Sequence, residues 1–306
     1  MGRLSPQSWN EIAQDELPPL TSADWFRVIA RGVPLAAVTF GCLALLLMLR
    51  VLERPIHGIA RPWTPKITQF VCKSAFLILG MTHVIHGEPM QGPGAVVGNH
   101  ASWLDIFAYN ARQPIYFVSK AEVAHWPAIG WLARATGTVF VRRNRAEAHK
   151  QRDLLLRHLS DGHLLLFFPE GTSTDGLRVL NFKSTLFEPF FMSSAVSQQF
   201  VQPVTIIYRS PVGASLRFYG WWGDMAFGPH LLKTLAAPRQ GCVDVYYHQP
   251  MRISDFSDRK ALAVQCEAVV RDCLERQLDR EGPEGARGSV GAPEFSPDSK
   301  EVYNRR

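Results

Sequence analysis

The chain has 306 residues, of which 46% are hydrophobic and 20% charged, so we expect one large domain, or one domain with appendages, around a substantial core. Its formal net charge of +6 and isoelectric point of about 9.2 suit either a nucleic acid or an anionic membrane surface as partner. Eight Trp and eighteen Phe beside a long apolar segment favour the membrane, and we expect no nucleic-acid partner because no basic–aromatic array of such a module is present. The cysteines are odd in number and dispersed, which excludes a disulfide framework and favours a reducing, cytoplasm-facing location; they are Cys42, Cys72, Cys242, Cys266 and Cys273.

The N-terminal part of the chain contains two apolar stretches. Residues 1–24 are polar and are predicted to lie loosely on the surface. The stretch from Gly32 to Leu49 is uncharged, mostly apolar and flanked by arginines, and it is just long enough to span a bilayer. A second stretch, Ile67–Val84, is interrupted by charge and predicts an amphipathic helix that lies in the interface or re-enters its leaflet; an ordinary core helix is the alternative. We therefore predict membrane-associated helices over residues 25–90, and the basic residues between the stretches favour a cytoplasmic side.

Short apolar strands alternate with helices from residue 91 to 280, which predicts an α/β domain with a mixed sheet flanked by helices. The predicted strands cover residues 95–97, 115–118, 138–141, 164–168, 201–208 and 242–247. The predicted helices cover residues 103–111, 121–135, 145–160, 182–194 and 257–280. Residues 281–306 are rich in Gly, Pro and charge without periodicity, which predicts a disordered tail.

An aromatic segment lies late in this domain, where Trp221 and Trp222 follow Arg217 and Tyr219. Paired tryptophans beside a tyrosine and an arginine suit an aromatic belt at a membrane interface or the mouth of an acyl-chain tunnel. Packing in the core is the alternative.

The clearest chemistry follows the first predicted strand. That strand breaks at Gly98 and a helix follows, so His100 lies at a strand-to-helix switch, where open α/β folds place their chemistry. A histidine there can accept a proton near neutral pH if a carboxylate fixes its tautomer, and Asp105 is the nearby candidate. A structural alternative exists, because Ser102 and Asp105 also fit a helix N-cap with an acidic residue in the first turn.

A second strand runs into a turn with the sequence Phe-Pro-Glu-Gly-Thr, and with this turn the chain resembles the glycerolipid acyltransferase family, which includes the 1-acylglycerol-3-phosphate acyltransferases. His-x4-Asp alone is a weak signal, but four family blocks in order are a strong one. The blocks are His-x4-Asp at 100–105, Gly-Thr-Val-Phe-Val-Arg-Arg at 137–143, Phe-Pro-Glu-Gly-Thr at 168–172 and Val-Gln-Pro-Val at 201–204. The resemblance covers roughly residues 70 to 250.

This resemblance implies transfer of a fatty acyl group from a thioester to a hydroxyl, with His100 as general base and Asp105 as the group that orients and charge-balances it. A thioester is already activated and no Ser or Cys nucleophile adjoins the motif, so we expect direct attack without an acyl-enzyme. The residues implied in substrate binding are Lys120, Arg143, Glu170, Gly171 and Thr172.

The partners implied are an acyl carrier protein or coenzyme A thioester as donor, a lysolipid as acceptor, and the membrane. No cofactor is expected, and no metal either, because His100 and Asp105 have no third and fourth ligand near them in the sequence. The expected location is the cytoplasmic (inner) membrane, with the catalytic domain facing the cytoplasm. An inactive lipid-binding membrane protein with the same fold is the alternative of another class.

The acceptor is where the chain departs from the phosphate-acceptor enzymes of the family, which usually have Arg directly after Phe-Pro-Glu-Gly-Thr. Here that position is Ser173, and Asp175 adds a carboxylate that would repel a phosphate but suit the ammonium of a zwitterionic head group. The run 171–176 looks like that of the bacterial lyso-ornithine lipid acyltransferases, which favours lyso-ornithine lipid as acceptor. The alternatives are 1-acyl-glycerol-3-phosphate, since Arg143 is retained, and a purely turn-shaping role of Ser173 and Asp175.

Overall fold

The computed structural model describes residues 19–58, 61–141, 148–192, 196 and 198–281. The helices are α1 (Ser22–His57), α2 (Thr64–Leu79), α3 (Asp105–Arg112), α4 (Ile129–Thr136), α5 (Ala148–Ser160), α6 (Phe227–Ala236) and α7 (Arg259–Glu281). The strands are β1 (Thr82–His86), β2 (Gly94–Gly98), β3 (Tyr116–Lys120), β4 (Val139–Val141), β5 (Leu164–Phe167), β6 (Phe200–Arg209), β7 (Cys242–Tyr247) and β8 (Met251–Arg252). Residues 1–18, 142–147 and 282–306, which include most of the predicted polar N-terminal segment and of the predicted tail, lie outside the described residues.

The strands form one mixed sheet, as predicted, in the order β1-β7-β6-β2-β5-β3-β4, with β8 beside β6. Strand β6 is antiparallel to β7 and β8, whereas the other neighbouring pairs are parallel. The central strands are apolar on both faces, since all five residues of β2 are buried. Because β2, β5, β3 and β6 run in the same direction, their carboxyl ends meet at one edge of the sheet.

Two hydrophobic cores lie on the two faces of the sheet. The first joins the sheet to α2, α3 and α6 and contains Trp103, Tyr109 and Ile206. The second joins it to α5 and α7 and contains Phe187 and Leu262. The helices therefore flank the sheet on both faces, which confirms the predicted fold class.

Strand β1 corrects one prediction, because its first three residues belong to the apolar stretch interpreted as a helix over Ile67–Val84. Helix α2 ends earlier, at Gly80, whose φ of 74° places it in the left-handed region that closes a helix. The β-branched residues after it pair with β7 instead, and His83 stacks on Phe76 of α2 at 4.7 Å. The second apolar stretch is thus a helix followed by an edge strand.

Other differences from the predicted elements have local causes. The helix predicted over residues 121–135 is interrupted, because Pro127 holds Trp126 in an extended conformation between a 3-10 turn (Ala121–His125) and α4. The helix predicted over 182–194 is a 3-10 helix with Pro189 inside it, at Ser184–Phe191. Helix α6 and strand β8 were not predicted.

Within the described residues, α1 is the one helix long and apolar enough to cross a membrane. In its apolar 18-residue stretch, 6% of the residues are buried against the rest of the protein. It nevertheless contacts the domain at both ends. Near its start, Arg27 and Arg31 donate hydrogen bonds of 2.6–2.8 Å to carbonyl oxygens at the carboxyl end of α6. Near its end, the buried carboxylate of Glu53 accepts hydrogen bonds from Trp63 N at 2.8 Å and Thr64 Oγ1 at 2.8 Å, which caps the start of α2.

Candidate active site

The loops after β2 and β5 meet at the carboxyl edge of the sheet, and they carry the residues with the clearest chemistry. Val97 of β2 is paired with Phe167 of β5, so the chain leaves both strands at the same height. Gly98 is required at this exit, since a Cβ there would lie 2.2 Å from the Tyr109 hydroxyl and 2.7 Å from a β6 carbonyl. The next residue, Asn99, fixes the path of the loop with two hydrogen bonds to the backbone of Ile206 in β6, at 2.8 and 2.9 Å.

His100 and Asp105 form a close pair in this loop. His100 Nδ1 lies 2.6 Å from Asp105 Oδ2, and the Asp105 carboxylate is fully buried while the histidine side chain is 21% exposed. Because a carboxylate accepts, Nδ1 carries the proton and the other ring nitrogen, Nε2, has a lone pair. The ring is held in place by Phe168, on which it stacks at 4.1 Å with an interplanar angle of 7°.

The Asp105 carboxylate makes three further contacts. Its Oδ2 also accepts hydrogen bonds from the backbone N–H groups of Ala101 at 2.9 Å and Ser102 at 3.1 Å, and its Oδ1 accepts one from the Tyr208 hydroxyl at 2.6 Å. Four donors on one carboxylate fix its plane.

The capping alternative for Ser102 does not describe this loop. Helix α3 begins at Asp105 itself, its N-cap is Leu104, and no side chain caps it. The Ser102 hydroxyl is buried and has no hydrogen-bond partner among the described residues. The polar side chain that organises the start of α3 is therefore Asp105, which binds backward to the loop and to His100.

Tyr208 is a site residue that sequence reasoning missed. It lies near the end of β6, more than a hundred residues from Asp105. Its burial and the adjacent Asp105 raise the pKa of its hydroxyl well above the ordinary value, so the hydroxyl stays a proton donor. Residues 201–207 of β6 are all buried, so the sequence pattern of this strand gives neither the face that carries Tyr208 nor its partner. Only the pairing of β6 with β2 brings it to the pair.

Glu170 supports the same loop from the turn after β5. Its Oε1 accepts a hydrogen bond from the backbone N–H of His100 at 2.7 Å, and its Oε2 accepts one from Leu180 N at 2.8 Å. The side chain is 2% exposed, and burial raises its pKa to about 8. The two carboxylate oxygens thus tie the Pro-Glu-Gly turn to the residue that carries the imidazole.

The other predicted substrate-binding residues occupy different positions relative to this pair. Gly171 is in the left-handed region, with φ of 72°, and its N–H closes the turn on Phe168 O at 3.0 Å; Thr172 next to it is half-buried. Lys120 is exposed and ends β3, two strands from β2 along the same carboxyl edge. Arg143 lies outside the described residues.

Asp175 corrects the prediction that a free carboxylate faces the acceptor. It is buried, and it accepts hydrogen bonds from Arg178 Nε at 3.1 Å, a second Arg178 nitrogen at 2.9 Å and Arg217 Nε at 3.2 Å. Two guanidinium groups already occupy both of its oxygens, so it does not present a negative charge to a ligand.

The aromatic segment divides between core and site. Tyr219 and Trp222 are 1% and 2% exposed, so the core-packing alternative is correct for them. Trp221 lies beside the site, because its backbone N–H donates to Ala101 O at 2.8 Å, and its ring meets Trp126 edge-to-face at 6.1 Å.

Among the described residues, no three His, Cys, Asp or Glu side chains are grouped as metal ligands.

Comparison with known proteins finds relatives of this chain. The acyltransferase family profile matches residues 82–207. The lyso-ornithine lipid O-acyltransferase of Rhodobacter capsulatus is 54% identical over 260 residues, which are 84% of this chain and 94% of that protein. The protein of the same name from Rhizobium meliloti is 32% identical over 87% of this chain and 91% of its own length.

A solved structure shares the fold. The crystal structure of the 1-acyl-sn-glycerophosphate acyltransferase from Thermotoga maritima superimposes with a TM-score of 0.51, covers 81% of this chain and 98% of that one, and is 23% identical in sequence. The order of the family blocks, the extent of the matches and the fold agree, and the chain belongs to the acyltransferase family and is an acyltransferase enzyme.

Proposed function

We propose that the protein is a lyso-ornithine lipid O-acyltransferase, which moves a fatty acyl group from an acyl carrier protein or coenzyme A thioester to the free hydroxyl of lyso-ornithine lipid. The observation that carries this proposal is the 54% identity to a relative of that name over 94% of the relative's length. Two relatives with this name match 84% and 87% of this chain.

The geometry of the His100–Asp105 pair supports the following reaction. The Nε2 lone pair of His100 removes the proton of the acceptor hydroxyl as its oxygen attacks the thioester carbonyl carbon. Asp105, bonded to Nδ1–H, stabilises the imidazolium that forms. The tetrahedral intermediate then collapses, the C–S bond breaks, and the imidazolium returns the proton to the departing thiolate, so the histidine ends in its starting state.

In this mechanism Glu170 positions His100 by holding its backbone N–H, and Tyr208 fixes the carboxylate from the opposite side. Gly171 and Thr172 in the turn after β5 and Lys120 at the end of β3 remain our predicted acceptor-binding residues, together with Arg143. Glu170 was predicted with them, but we assign it the positioning role instead because both of its oxygens bind backbone N–H groups. None of these roles requires an acyl-enzyme, because the thioester is already an activated acyl group.

We also propose that α1 anchors the enzyme to the cytoplasmic (inner) membrane without crossing it at right angles. Arg27 and Glu53 bind the domain 26 residues apart, which is about 39 Å of helix, more than the roughly 30 Å hydrocarbon core of a bilayer. A perpendicular helix would therefore immerse the attached domain. A helix lying along the membrane keeps the domain on the cytoplasmic side.

The exposed side chains of α1 support this orientation. At 100° per residue, the buried Val28, Leu46 and Glu53 share one face of the helix. Large apolar side chains that are 41–73% exposed cover the rest of the circumference; they are Trp25, Phe26, Ile29, Val33, Phe40, Leu45, Leu47, Met48, Val51, Leu52 and Ile56. This apolar surface extends along the helix from Trp25 to Ile56 and spares only the side that faces the domain, which suits contact with lipid along the whole helix.

The direct test is an assay of membranes containing the protein with acyl-carrier-protein and coenzyme A thioesters and two acceptors, lyso-ornithine lipid and 1-acyl-glycerol-3-phosphate. We expect faster acylation of lyso-ornithine lipid and loss of activity in His100→Ala. A matched control is His86→Ala, because His86 also lies 2.6 Å from a buried aspartate, Asp244, but on the edge strand β1. No transfer to lyso-ornithine lipid would contradict the proposed acceptor, and a tenth or more of the wild-type rate in folded His100→Ala would contradict the mechanism.

A further inference from the structure

Asp175 and its two arginines form a charged cluster that the mechanism above does not use. Arg178 binds both Asp175 oxygens through two nitrogens, at 3.1 and 2.9 Å, and Arg217 adds one bond of 3.2 Å through Nε. The aspartate side chain is fully buried, whereas the side chains of Arg178 and Arg217 are 29% and 36% exposed. The acid is therefore inside and the two cations are reachable from solvent.

The cluster has more positive than negative charge. The two-pronged contact of Arg178 already neutralises Asp175 and uses both of its oxygens. Arg217 adds a second cation, and its two terminal nitrogens have no hydrogen-bond acceptor in the part of the chain that the structure describes. The terminal N–H donors of the Arg217 guanidinium are thus open to a ligand. The three side chains together carry a net charge of about +1.

Both loops that carry the cluster are bonded to the residues around the catalytic histidine. The residue before Asp175, Thr174, donates its N–H to His100 O at 2.8 Å, and Trp221, four residues after Arg217, donates to Ala101 O at 2.8 Å. The loops also pack on each other without a side chain between them, because a Cβ on Gly220 would lie 2.7 Å from Asp175 O. The open guanidinium is consequently carried by loops that are bonded directly to the residues around the imidazole.

We propose that Arg217, oriented by Asp175 and Arg178, binds the carboxylate of the acceptor's amino-acid head group. This inference rests on the proposed function: in lyso-ornithine lipid the α-amino group of ornithine is acylated, which leaves a free carboxylate and a side-chain ammonium. A planar fork of N–H donors matches a carboxylate with two parallel hydrogen bonds. The surplus positive charge repels the ammonium, so the cluster selects the carboxylate end of the head group.

The experiment compares lyso-ornithine lipid with its carboxyl methyl ester as acceptors for the wild type and Arg217→Gln. In the wild type we expect the ester to have a KM roughly 10- to 100-fold higher, which is the usual range for one lost charge-assisted interaction. Arg217→Gln is expected to raise the KM for the acid by a similar factor, to leave kcat within about threefold, and to leave the KM for the ester unchanged. Arg217→Lys, which keeps the charge without the fork, should fall between.

Arg252→Gln is the matched control, because Arg252 is another partly exposed arginine but stacks on Phe200 at the start of β6, the opposite end of the strand from the site. It should leave both KM values unchanged. Equal KM values for acid and ester in the wild type would overturn the inference without any variant, and so would an equal effect of Arg217→Gln on both. A wild type that acylates neither compound would overturn the proposed function as well, so the two failures are distinguishable.

Discussion

Replacing Asp105 by Asn removes the negative charge beside His100 but keeps the size of the side chain. The orientation of the new amide is set by the donors around it. Three N–H groups, from His100, Ala101 and Ser102, converge on Oδ2, whereas Oδ1 meets the Tyr208 hydroxyl alone. Turning the amide nitrogen toward the three donors would forfeit about 1 kcal/mol for each of three hydrogen bonds, so the oxygen should keep facing His100.

With the oxygen in that position, the Nδ1–H tautomer survives and only the charge is lost. At about 4 Å between charge centres and an effective dielectric constant of about 20, a carboxylate stabilises an imidazolium by about 4 kcal/mol. This amounts to a loss of roughly 10³-fold in kcat. A triad aspartate in a serine protease costs about 10⁴ because there the substitution also leaves the wrong tautomer. Here the two loop N–H groups should prevent that second effect.

The assay is the initial rate of acyl transfer at saturating acceptor between pH 5 and 9. The control is Asp244→Asn, since Asp244 is also buried and lies 2.6 Å from a histidine, but its side chain binds His86 and Arg209 and not the loop that carries His100. It should change the rate by less than about threefold. A folded Asp105→Asn enzyme with a tenth or more of the wild-type kcat would refute the reasoning.

Three further outcomes follow from the geometry. Tyr208→Phe removes one of four donors to the catalytic carboxylate and should lower kcat by about tenfold with little change in KM, since a hydrogen bond to a charged group contributes roughly 1.5 kcal/mol or more; an unchanged kcat would exclude this supporting role. Burial raises the pKa of Glu170 from 4.5 to about 8, so the folded state holds a proton that the unfolded chain releases, and stability should fall by up to about 1.4 kcal/mol per pH unit as pH rises from about 4.5 to 8. The thermal unfolding midpoint should therefore fall less steeply with rising pH for Glu170→Gln than for the wild type. Equal slopes for the two proteins would contradict the raised pKa of Glu170. Aspartates at Ile29 and Val33, on the exposed face of α1, should shift the protein toward the soluble fraction, whereas Val264→Asp, equally exposed on α7, should not; identical fractionation of both variants would exclude this face as the anchor.

Much of the fold could be predicted because its central strands are buried on both faces. Such strands appear in the sequence as short apolar runs, as in Ala95–Val97, and the breaks after them mark the loops. The same feature located His100 and Glu170, since both follow a strand directly. Elements at the periphery were harder. Strand β1 has the composition of the helix before it, and only the left-handed Gly80 separates them.

Electrostatic partners could not be predicted, because they depend on which loops the sheet brings together. Asp175 in the sequence is a carboxylate after a Gly-Thr turn, which favours an ammonium ligand. In the fold, the segment after β5 and the segment before α6 bring Arg178 and Arg217 against it, so two positive charges face one negative charge. The cluster therefore carries a net positive charge where the sequence indicated a negative one. For a buried charge, the sign that a ligand meets is set by its neighbours in space, and here one of those neighbours lies 42 residues away.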